Sequence, residues 1–333
     1  MNLEAYNKAH SALAVLDASA ITGRVRASGT DALDLLHRMS TNDLRPLFTA
    51  PGSGAQTILT TEKARIIDLI TVIAEEKGAL LVTSKDHEAT VINWLDKFVI
   101  MEDAKFTNAT ASISHIIVFG PRALEYLTSA TSTDLIGIEK FHSKEVQIAS
   151  IPVKIQRSNR IIESGFSIYC SGDDREALLA IMQEQIADVG GAIIDEDTYE
   201  TIRIEAGIPK APNELNDSRN PLEASLVQAV SFTKGCYTGQ EVIARLDTYD
   251  KVQRHLMGVK TDGHVSLTTP AAVSVADGTE IGQITSFTYS PGMNASIGMA
   301  FIKTAFANNN SPVLVGELKA AATITNLPFD VES

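Results

Sequence analysis

The chain has little cysteine and no paired metal ligands. Its 333 residues include only two cysteines, Cys170 and Cys236, and seven scattered histidines with no pair at metal-ligand spacing. Two thiols cannot form a disulfide framework, and on their own they cannot hold an iron-sulfur cluster or a structural zinc ion within one chain. The sequence therefore predicts no resident metal site.

Positive charge and long apolar runs are also scarce. The 28 lysines and arginines are outnumbered by 41 aspartates and glutamates, which gives a formal net charge of -13. Such a surface repels nucleic acids and anionic membranes, so we expect neither as a partner. No apolar run is long enough to cross a bilayer, and the first twenty residues lack the basic start and apolar core of a targeting peptide. We therefore expect a cytoplasmic protein.

The most informative segment is residues 234–245, Lys-Gly-Cys-Tyr-Thr-Gly-Gln-Glu-Val-Ile-Ala-Arg. Thr238 and Glu241 have the spacing of a capping box, which predicts that a helix begins near the glycine between them. The free amides of a helix start attract anionic or carbonyl-bearing ligands. Cys236 lies just before this start and two residues after Lys234, and both features favour a reactive thiolate. The alternative is that Cys236 is a small buried apolar side chain, as free cysteines often are.

The first eight residues of this segment resemble the signature of the YgfZ family, folate-binding proteins linked to iron-sulfur cluster assembly and repair. That family is related to the T-protein of the glycine cleavage system, an aminomethyltransferase that uses tetrahydrofolate. Further similar segments cover nearly the whole chain in the family's order, among them Thr41-Asn42-Asp43-Leu44, Phe119-Gly120-Pro121-Arg122-Ala123, Glu163-Ser164-Gly165-Phe166, Arg203-Ile204-Glu205-Ala206-Gly207 and Ile297-Gly298-Met299-Ala300.

Local patterns indicate an α+β fold. Thr30 is the predicted cap of a helix that runs through Met39, and Ser84 is the predicted cap of a later helix. Beyond Lys251, short β-rich runs alternate with turns, as in a small barrel or sandwich. With the resemblance, we expect a T-protein-like cloverleaf of three domains around a central folate pocket. Residues 1–250 would form a folate-binding region of two interleaved subdomains, and residues 251–333 a C-terminal β-barrel domain.

The resemblance also implies site residues. Glu205 would contact the pterin ring, because a carboxylate suits its adjacent hydrogen-bond donors, although a surface or capping role is the alternative. Asp68 falls where the transferases carry the aspartate that approaches the reactive folate nitrogen. Lys234 and Gln240 are candidates for polar contacts to folate or for solvated positions. Tyr237 would pack against the pteridine or complete the core.

The chain departs from the T-protein pattern in ways that bear on its function. The transferases usually show two adjacent aspartates, whereas this chain has Asp68 alone, and Thr83 stands where they tend to have asparagine. We therefore expect a tetrahydrofolate-binding protein that supports iron-sulfur cluster assembly or repair. Its partners would be assembly factors or client proteins, and Cys236 would be a redox or persulfide-exchange thiol with a pKa lowered by Lys234. The alternatives are a folate-dependent aminomethyltransferase or demethylase, in which Asp68 is catalytic, and a scaffold that has lost folate.

Overall fold

The computed structural model describes residues 1–158 and 165–331, so Glu163 and Ser164 of the similar segments lie outside the described residues. The helices in this part of the chain are α1 Leu3–Ser11, α2 Ala32–Met39, α3 Glu88–Asp96, α4 Ala123–Thr131, α5 Arg175–Asp188, α6 Glu196–Glu205 and α7 Gln240–Thr248. The strands are β1 Ala14–Asp17, β2 Thr22–Ser28, β3 Gly54–Thr60, β4 Ile66–Glu75, β5 Gly78–Ser84, β6 Lys105–Asn108, β7 Ile113–Phe119, β8 Ser143–Ile148, β9 Ile151–Arg157, β10 Phe166–Ser171, β11 Ala192–Ile193, β12 Arg254–Thr261, β13 Ala271–Ser274, β14 Glu280–Ser290, β15 Ala295–Lys303, β16 Pro312–Val315 and β17 Ala320–Thr325.

A five-stranded antiparallel sheet has the order β3-β4-β5-β2-β6. Helices α2 and α3 cover one of its faces, where Ile70 and Val72 of β4 pack against Leu35 and Val91 of the helices. Side chains alternate along a strand, so Leu69 of β4 leaves the sheet on the opposite face. That second face is turned toward the candidate site.

A second sheet has the order β11-β1-β7-β10-β9-β8. Its strands are antiparallel apart from the β1–β11 pair. Helices α4 and α5 pack on one face through Leu127 and Met182, while α1 and α6 pack on the other through Ala9 and Ile202. Burial on both faces accounts for the apolar run Ile116–Phe119 of β7.

The C-terminal strands close into a six-stranded barrel with the order β12-β15-β14-β13-β16-β17. Val259, Ile284 and Ile302 belong to the core that fills it. A separate apolar cluster joins the barrel to the rest of the molecule, and there Ile297 of β15 packs with Ile58 of β3 and Ile243 of α7. The predicted α+β fold with a C-terminal β-barrel is thus confirmed, whereas the division at residue 250 stays a proposal.

Three predicted helix caps are wrong. Thr30 does not cap α2: the N-cap is Asp31, and the Thr30 hydroxyl donates to Asp103. Ser84 precedes α3 by several residues, because its hydroxyl donates to Asp68 instead. Helix α7 begins at Gln240 as expected, but its N-cap is Gly239 with no side-chain cap.

The left-handed backbone of Gly239 (φ 86°) makes the turn into α7, and a Cβ there would lie 2.8 Å from both Thr60 Oγ1 and the Thr61 carbonyl. The close approach of the β3–β4 turn therefore selects glycine at this cap. Within the described residues, no helix combines the length and the apolar character that a membrane span requires.

Candidate functional site

A cavity of about 360 Å³ lies between the five-stranded sheet and helix α6. Gln56, Leu69 and Ser84 contribute to its sheet wall, and the segments 206–211 and 224–226 close other sides. Among the described lining residues, four cationic side chains face two carboxylates: Lys85, Lys140, Arg203 and Lys210 against Glu196 and Glu200. The cavity thus joins apolar surface, neutral polar groups and an excess of positive charge.

The α6 wall carries a cluster of paired charges. Glu200 accepts hydrogen bonds from Nη2 and Nε of Arg203 at 2.7 and 2.9 Å and from Nζ of Lys210 at 2.8 Å. Burial acts to raise the pKa of Glu200, but the two cations outweigh it and hold the pKa below its usual value. Nη2 of Arg203 also donates to Ser286 of the barrel at 2.8 Å, and Nη1 lies 3.4 Å from the buried carboxylate of Glu214. This cluster therefore fixes α6 to the barrel beside the cavity and leaves Glu200 with both oxygens engaged.

Glu205, the expected contact to the pterin ring, is not among the residues that line the cavity. It follows Glu200 by five residues, which turns its side chain about 140° around the helix. Its carboxylate accepts from Tyr6 Oη at 2.6 Å and from Ser290 Oγ at 2.5 Å, and it lies 3.3 Å from His10 Nε2. Glu205 thus joins α1, α6 and the barrel on the side of the helix away from the cavity.

Asp68 lies directly behind the cavity wall and is fully buried. One of its oxygens accepts from the Ser84 hydroxyl at 2.6 Å and the Leu69 amide at 3.0 Å, and the other accepts from the Ser84 amide at 2.9 Å. Nδ1 of His87 lies 3.5 Å from the same carboxylate, and this contact raises the pKa of His87. Leu69 and Ser84 reach the cavity, but the Asp68 carboxylate is used to hold them in place.

Lys234 is buried and acts on the backbone of another segment. Its ammonium group donates to the carbonyl of His37 in the last turn of α2. It also donates to the carbonyls of Ser40 at 2.8 Å and Asn42 at 2.9 Å, which follow the helix. Burial lowers the pKa of Lys234 to about 8. Cations at a helix C-terminus satisfy its free carbonyls, so Lys234 fixes the motif to the end of α2.

The other motif residues lie outside the cavity as well. Cys236 is exposed, and within the described residues it has no hydrogen bond to Lys234. Tyr237 is buried in the apolar cluster beside the barrel, with Lys234 Nζ 5.2 Å from its ring centroid. The side chain of Gln240 donates back to the Lys234 carbonyl at 3.5 Å. The residues of the motif thus contact one another, and none of them belongs to the cavity lining.

The sequence reasoning missed the cavity residues Glu200, Lys210, Lys85 and Lys140. For α6 a signal was present, because Glu196, Tyr199, Glu200 and Arg203 share one helical face at spacings of three and four. Lys85 and Lys140 belong to loops that are distant from each other in the chain, so local spacing carries no signal for them.

Comparisons with known proteins agree with the barrel and the arrangement of the sheets. Residues 3–234 match the family model of the GCVT N-terminal domain, and residues 254–330 match that of the glycine cleavage T-protein C-terminal barrel domain. The chain belongs to the glycine cleavage T-protein family. A crystal structure of the glycine cleavage system aminomethyltransferase T from Bartonella henselae superimposes with a TM-score of 0.84 at 19% identity, covering 98% of this chain and 89% of that one. This likeness shows the shared fold.

Two relatives of the T-protein family were compared by sequence. A chloroplastic protein of Arabidopsis thaliana, provisionally named as a transferase, is 27% identical over 98% of this chain and 73% of its own length. An aminomethyltransferase of Bacillus mycoides is 28% identical over 92% of this chain and 84% of its own length. Both matches span most of the two chains, so the family relation extends through the whole described fold.

Proposed function

We propose that this member of the T-protein family binds tetrahydrofolate in the central cavity and supports iron-sulfur proteins without catalysing one-carbon transfer. The observation that carries the proposal is the cavity itself. Of the two carboxylates in its described lining, Glu200 is bound by Arg203 and Lys210, and Glu196 is an exposed residue at the start of α6. In one-carbon transfer a group must manage charge and protons at the folate nitrogen. Asp68, the residue expected to do so, has both oxygens occupied behind the wall.

The lining fits a folate. Ligand cavities typically measure about 300–1,000 Å³, with apolar walls and a few polar groups that fix orientation. Here Leu69 and Leu226 supply apolar surface, while the amides of Gln56 and Gln228 supply hydrogen-bonding groups for a polar ring edge. Because 360 Å³ is near the lower end of that range, we expect the ring to lie inside and the rest of the ligand to extend through the mouth.

The iron-sulfur part of the proposal comes from the resemblance of residues 234–241 to the YgfZ signature and from the exposure of Cys236. In persulfide exchange, the Cys236 thiolate attacks the outer sulfur of a donor persulfide, a new S–S bond forms, and the donor thiolate leaves. An exposed thiol meets the steric requirement of such an exchange with a protein partner. A cytoplasmic location remains part of the proposal; the Arabidopsis relative carries a chloroplastic name.

The second candidate is a folate-dependent aminomethyltransferase or demethylase. It is favoured by the names of relatives such as the Bacillus mycoides protein at 28% identity. An assay for methylene-tetrahydrofolate or formaldehyde formation from amine donors separates the two candidates. Turnover above background would establish the second and overturn the non-catalytic proposal.

Calorimetric titration with tetrahydrofolate tests the binding site. We expect saturable binding to the wild-type chain and strongly weakened binding to Leu69→Trp, because the larger side chain fills the cavity. The matched control is Leu318→Trp, since Leu318 is 89% exposed and does not line the cavity. Absence of binding by the wild-type chain would overturn the proposal, and equal binding by Leu69→Trp would place the ligand elsewhere.

Complementation of iron-sulfur enzyme activity in a strain that lacks the protein tests the thiol. Cys236→Ser should bind tetrahydrofolate like the wild type but fail to restore the activity, whereas Cys170→Ser, a change at a buried thiol, is the control. Full rescue by Cys236→Ser would contradict the thiol role and leave the folate site untouched.

A further inference from the structure

Three arginines lie together where the five-stranded sheet meets the barrel. They come from separate segments of the chain: Arg65 from the β3–β4 turn, Arg219 from the loop between α6 and α7, and Arg254 from the first residue of β12. None of them belongs to the cavity lining. Within residues 1–158 and 165–331, the ion pairs of arginine involve other positions, so these three arginines have no carboxylate partner.

Arg219 is the central member of this group. Its Cζ atom lies 4.0 Å from the centroid of the Phe301 ring, which is fully buried in the apolar cluster beside the barrel. The ring covers one face of the guanidinium group and restricts its orientation. The Nε atom of Arg219 is buried, and it has no hydrogen-bond partner in the described part of the chain. The fold thus holds this cation in place while leaving a donor unused, an arrangement that destabilises a protein unless a ligand completes it.

Arg65 is fixed beside Arg219 by hydrogen bonds between their two segments. Nη1 of Arg65 donates to the carbonyl of Ser218 at 3.0 Å. The next amide of the chain, that of Ile66, donates to the carbonyl of Arg219 at 3.0 Å. The β3–β4 turn and the loop therefore run side by side at this point, and the two arginines are neighbours despite their distance in the sequence.

Arg254 approaches the same place from the barrel. Leu256 of β12 and Phe301 of β15 are directly opposite each other, and both pack in the apolar cluster beside the barrel. Side chains alternate along a strand, so Arg254 leaves β12 on the same face as Leu256. It is the diagonal neighbour of Phe301 on that face, a position from which a long side chain reaches across the strand pair. Arg254 therefore borders the ring on which Arg219 stacks.

The charges of this group act on one another. Burial lowers the pKa of Arg219; the carboxylate of Glu223 opposes this shift, and the positive charges of Arg254 and Arg65 add to it. The chain as a whole has a formal net charge of -13, so a general excess of positive charge does not account for three adjacent arginines. An anion bound among them would relieve their mutual repulsion and supply the missing hydrogen-bond acceptor.

We propose that Arg65, Arg219 and Arg254 form a binding site for a dianionic phosphate group, supplied by inorganic phosphate or by an organic phosphate monoester. Guanidinium groups present paired N–H donors that match the oxygens of a phosphate. Donors that converge from three segments suit a tetrahedral group with several oxygens better than a planar carboxylate, which offers two. The site lies outside the cavity lining, so it does not depend on the proposed function.

Calorimetric titration at pH 7.5 and constant ionic strength tests the site with three probes: sodium phosphate, glycerol 3-phosphate and succinate. We expect saturable binding of the two phosphates by the wild-type chain and much weaker binding of the dicarboxylate. Arg219→Met should weaken phosphate binding about tenfold or more, because it removes charge-assisted hydrogen bonds. Arg219→Lys keeps the charge but not the planar group of donors, and it should restore only part of the affinity.

The matched control is Arg38→Met. It removes the same charge from an arginine of α2 whose exposed side chain pairs with Asp34 and Glu102, and it should bind phosphate like the wild type. Arg65→Gln and Arg254→Gln change side chains that are exposed and half-buried, and each should weaken binding severalfold. These two variants keep the site testable if Arg219→Met does not fold. Saturating tetrahydrofolate should leave the affinity for phosphate unchanged.

The results that would overturn the proposal are distinct. Absence of saturable binding of both phosphates by the wild type overturns the site, and equal or tighter binding of succinate overturns the assignment of a phosphate group. Unchanged affinity in the arginine variants, or an equal loss in Arg38→Met, overturns the role of these three residues. Competition between phosphate and tetrahydrofolate would place the anion in the cavity instead. Phosphate binding without folate binding would support this site while overturning the proposed function.

Discussion

Two polar clusters of this molecule bury positive charge in different ways. Beside the cavity, Arg203 and Lys210 are neutralised by the carboxylates of Glu200 and Glu214. In the motif, the buried Lys234 ammonium group donates to three backbone carbonyls and lies over the Tyr237 ring. The first cluster forms a cavity wall, whereas the second fixes a loop and leaves its cysteine outside. The residues of the motif at 234–241 are therefore not the residues that line the cavity.

The largest effect should come from the cavity cluster. Arg203→Met removes a cation that is 2% exposed and leaves the fully buried Glu214 carboxylate without it. Breaking a buried ion pair from one side costs about 3–5 kcal/mol of unfolding free energy. Urea denaturation measures this loss. The control is Arg38→Met, because Arg38 pairs with Asp34 and Glu102 with 44% of its side chain exposed, and such pairs contribute about 0–1 kcal/mol. Equal losses of unfolding free energy in the two variants would show that the buried ion pairs of Arg203 stabilise the fold no more than the exposed pairs of Arg38 do.

The motif cluster should show a smaller effect with a distinct pH dependence. Lys234→Met leaves the carbonyls at the end of α2 without their donor, which costs about 1–3 kcal/mol. The folded pKa of Lys234, about 8, lies below its ordinary value of 10.5. Between these two pH values the unfolded chain binds more protons than the folded chain does. The free energy of unfolding of the wild type therefore rises as the pH increases from about 8 to 10.5.

That pH dependence gives the measurement. The difference in unfolding free energy between the wild type and Lys234→Met should increase from pH 8 to pH 10.5, because groups common to both proteins cancel. Parallel stability curves over this range would mean that Lys234 titrates alike in the folded and unfolded chains, and the contrast between the two clusters would then lose its electrostatic basis.

The close packing of the motif against the β3–β4 turn can be tested by substituting its two glycines. Gly239→Ala places a Cβ in a left-handed residue that already touches the β3–β4 turn, so we expect a loss of about 1–3 kcal/mol. Gly235→Ala in the same motif meets no atom within 4 Å and has no positive φ, so its effect should be close to zero. Urea denaturation of both variants compares them. An unchanged free energy of unfolding in Gly239→Ala would contradict the close contact between the start of α7 and this turn.

Sequence patterns predicted the elements better than their mutual placement. The alternating β-rich runs after Lys251 predicted a C-terminal barrel or sandwich, and the strands there close into a barrel. The spacing of Thr238 and Glu241 predicted a helix start near Gly239, which is correct although no side chain caps α7. They did not predict which face of α6 meets the cavity, because that depends on how α1 and the barrel pack on Glu205. They also could not predict that Lys234 binds the end of α2, since its three acceptors are backbone carbonyls about two hundred residues earlier. Such long-range contacts to the backbone leave no residue pattern to read.

The smallest expected effect is that of bound ligand on the reactivity of the Cys236 thiol, which lies outside the cavity lining. Cys236 is exposed, whereas Cys170 is buried and burial raises its pKa to about 11, so iodoacetamide at pH 7.5 should modify one thiol of the native chain. Cys236→Ser should abolish this reaction. Saturating tetrahydrofolate should leave the alkylation rate unchanged, because Cys236 does not belong to the cavity lining. Strong protection by the ligand would instead bring the thiol and the cavity into one site, and the motif and the pocket would then have to be treated as parts of a single catalytic or exchange centre.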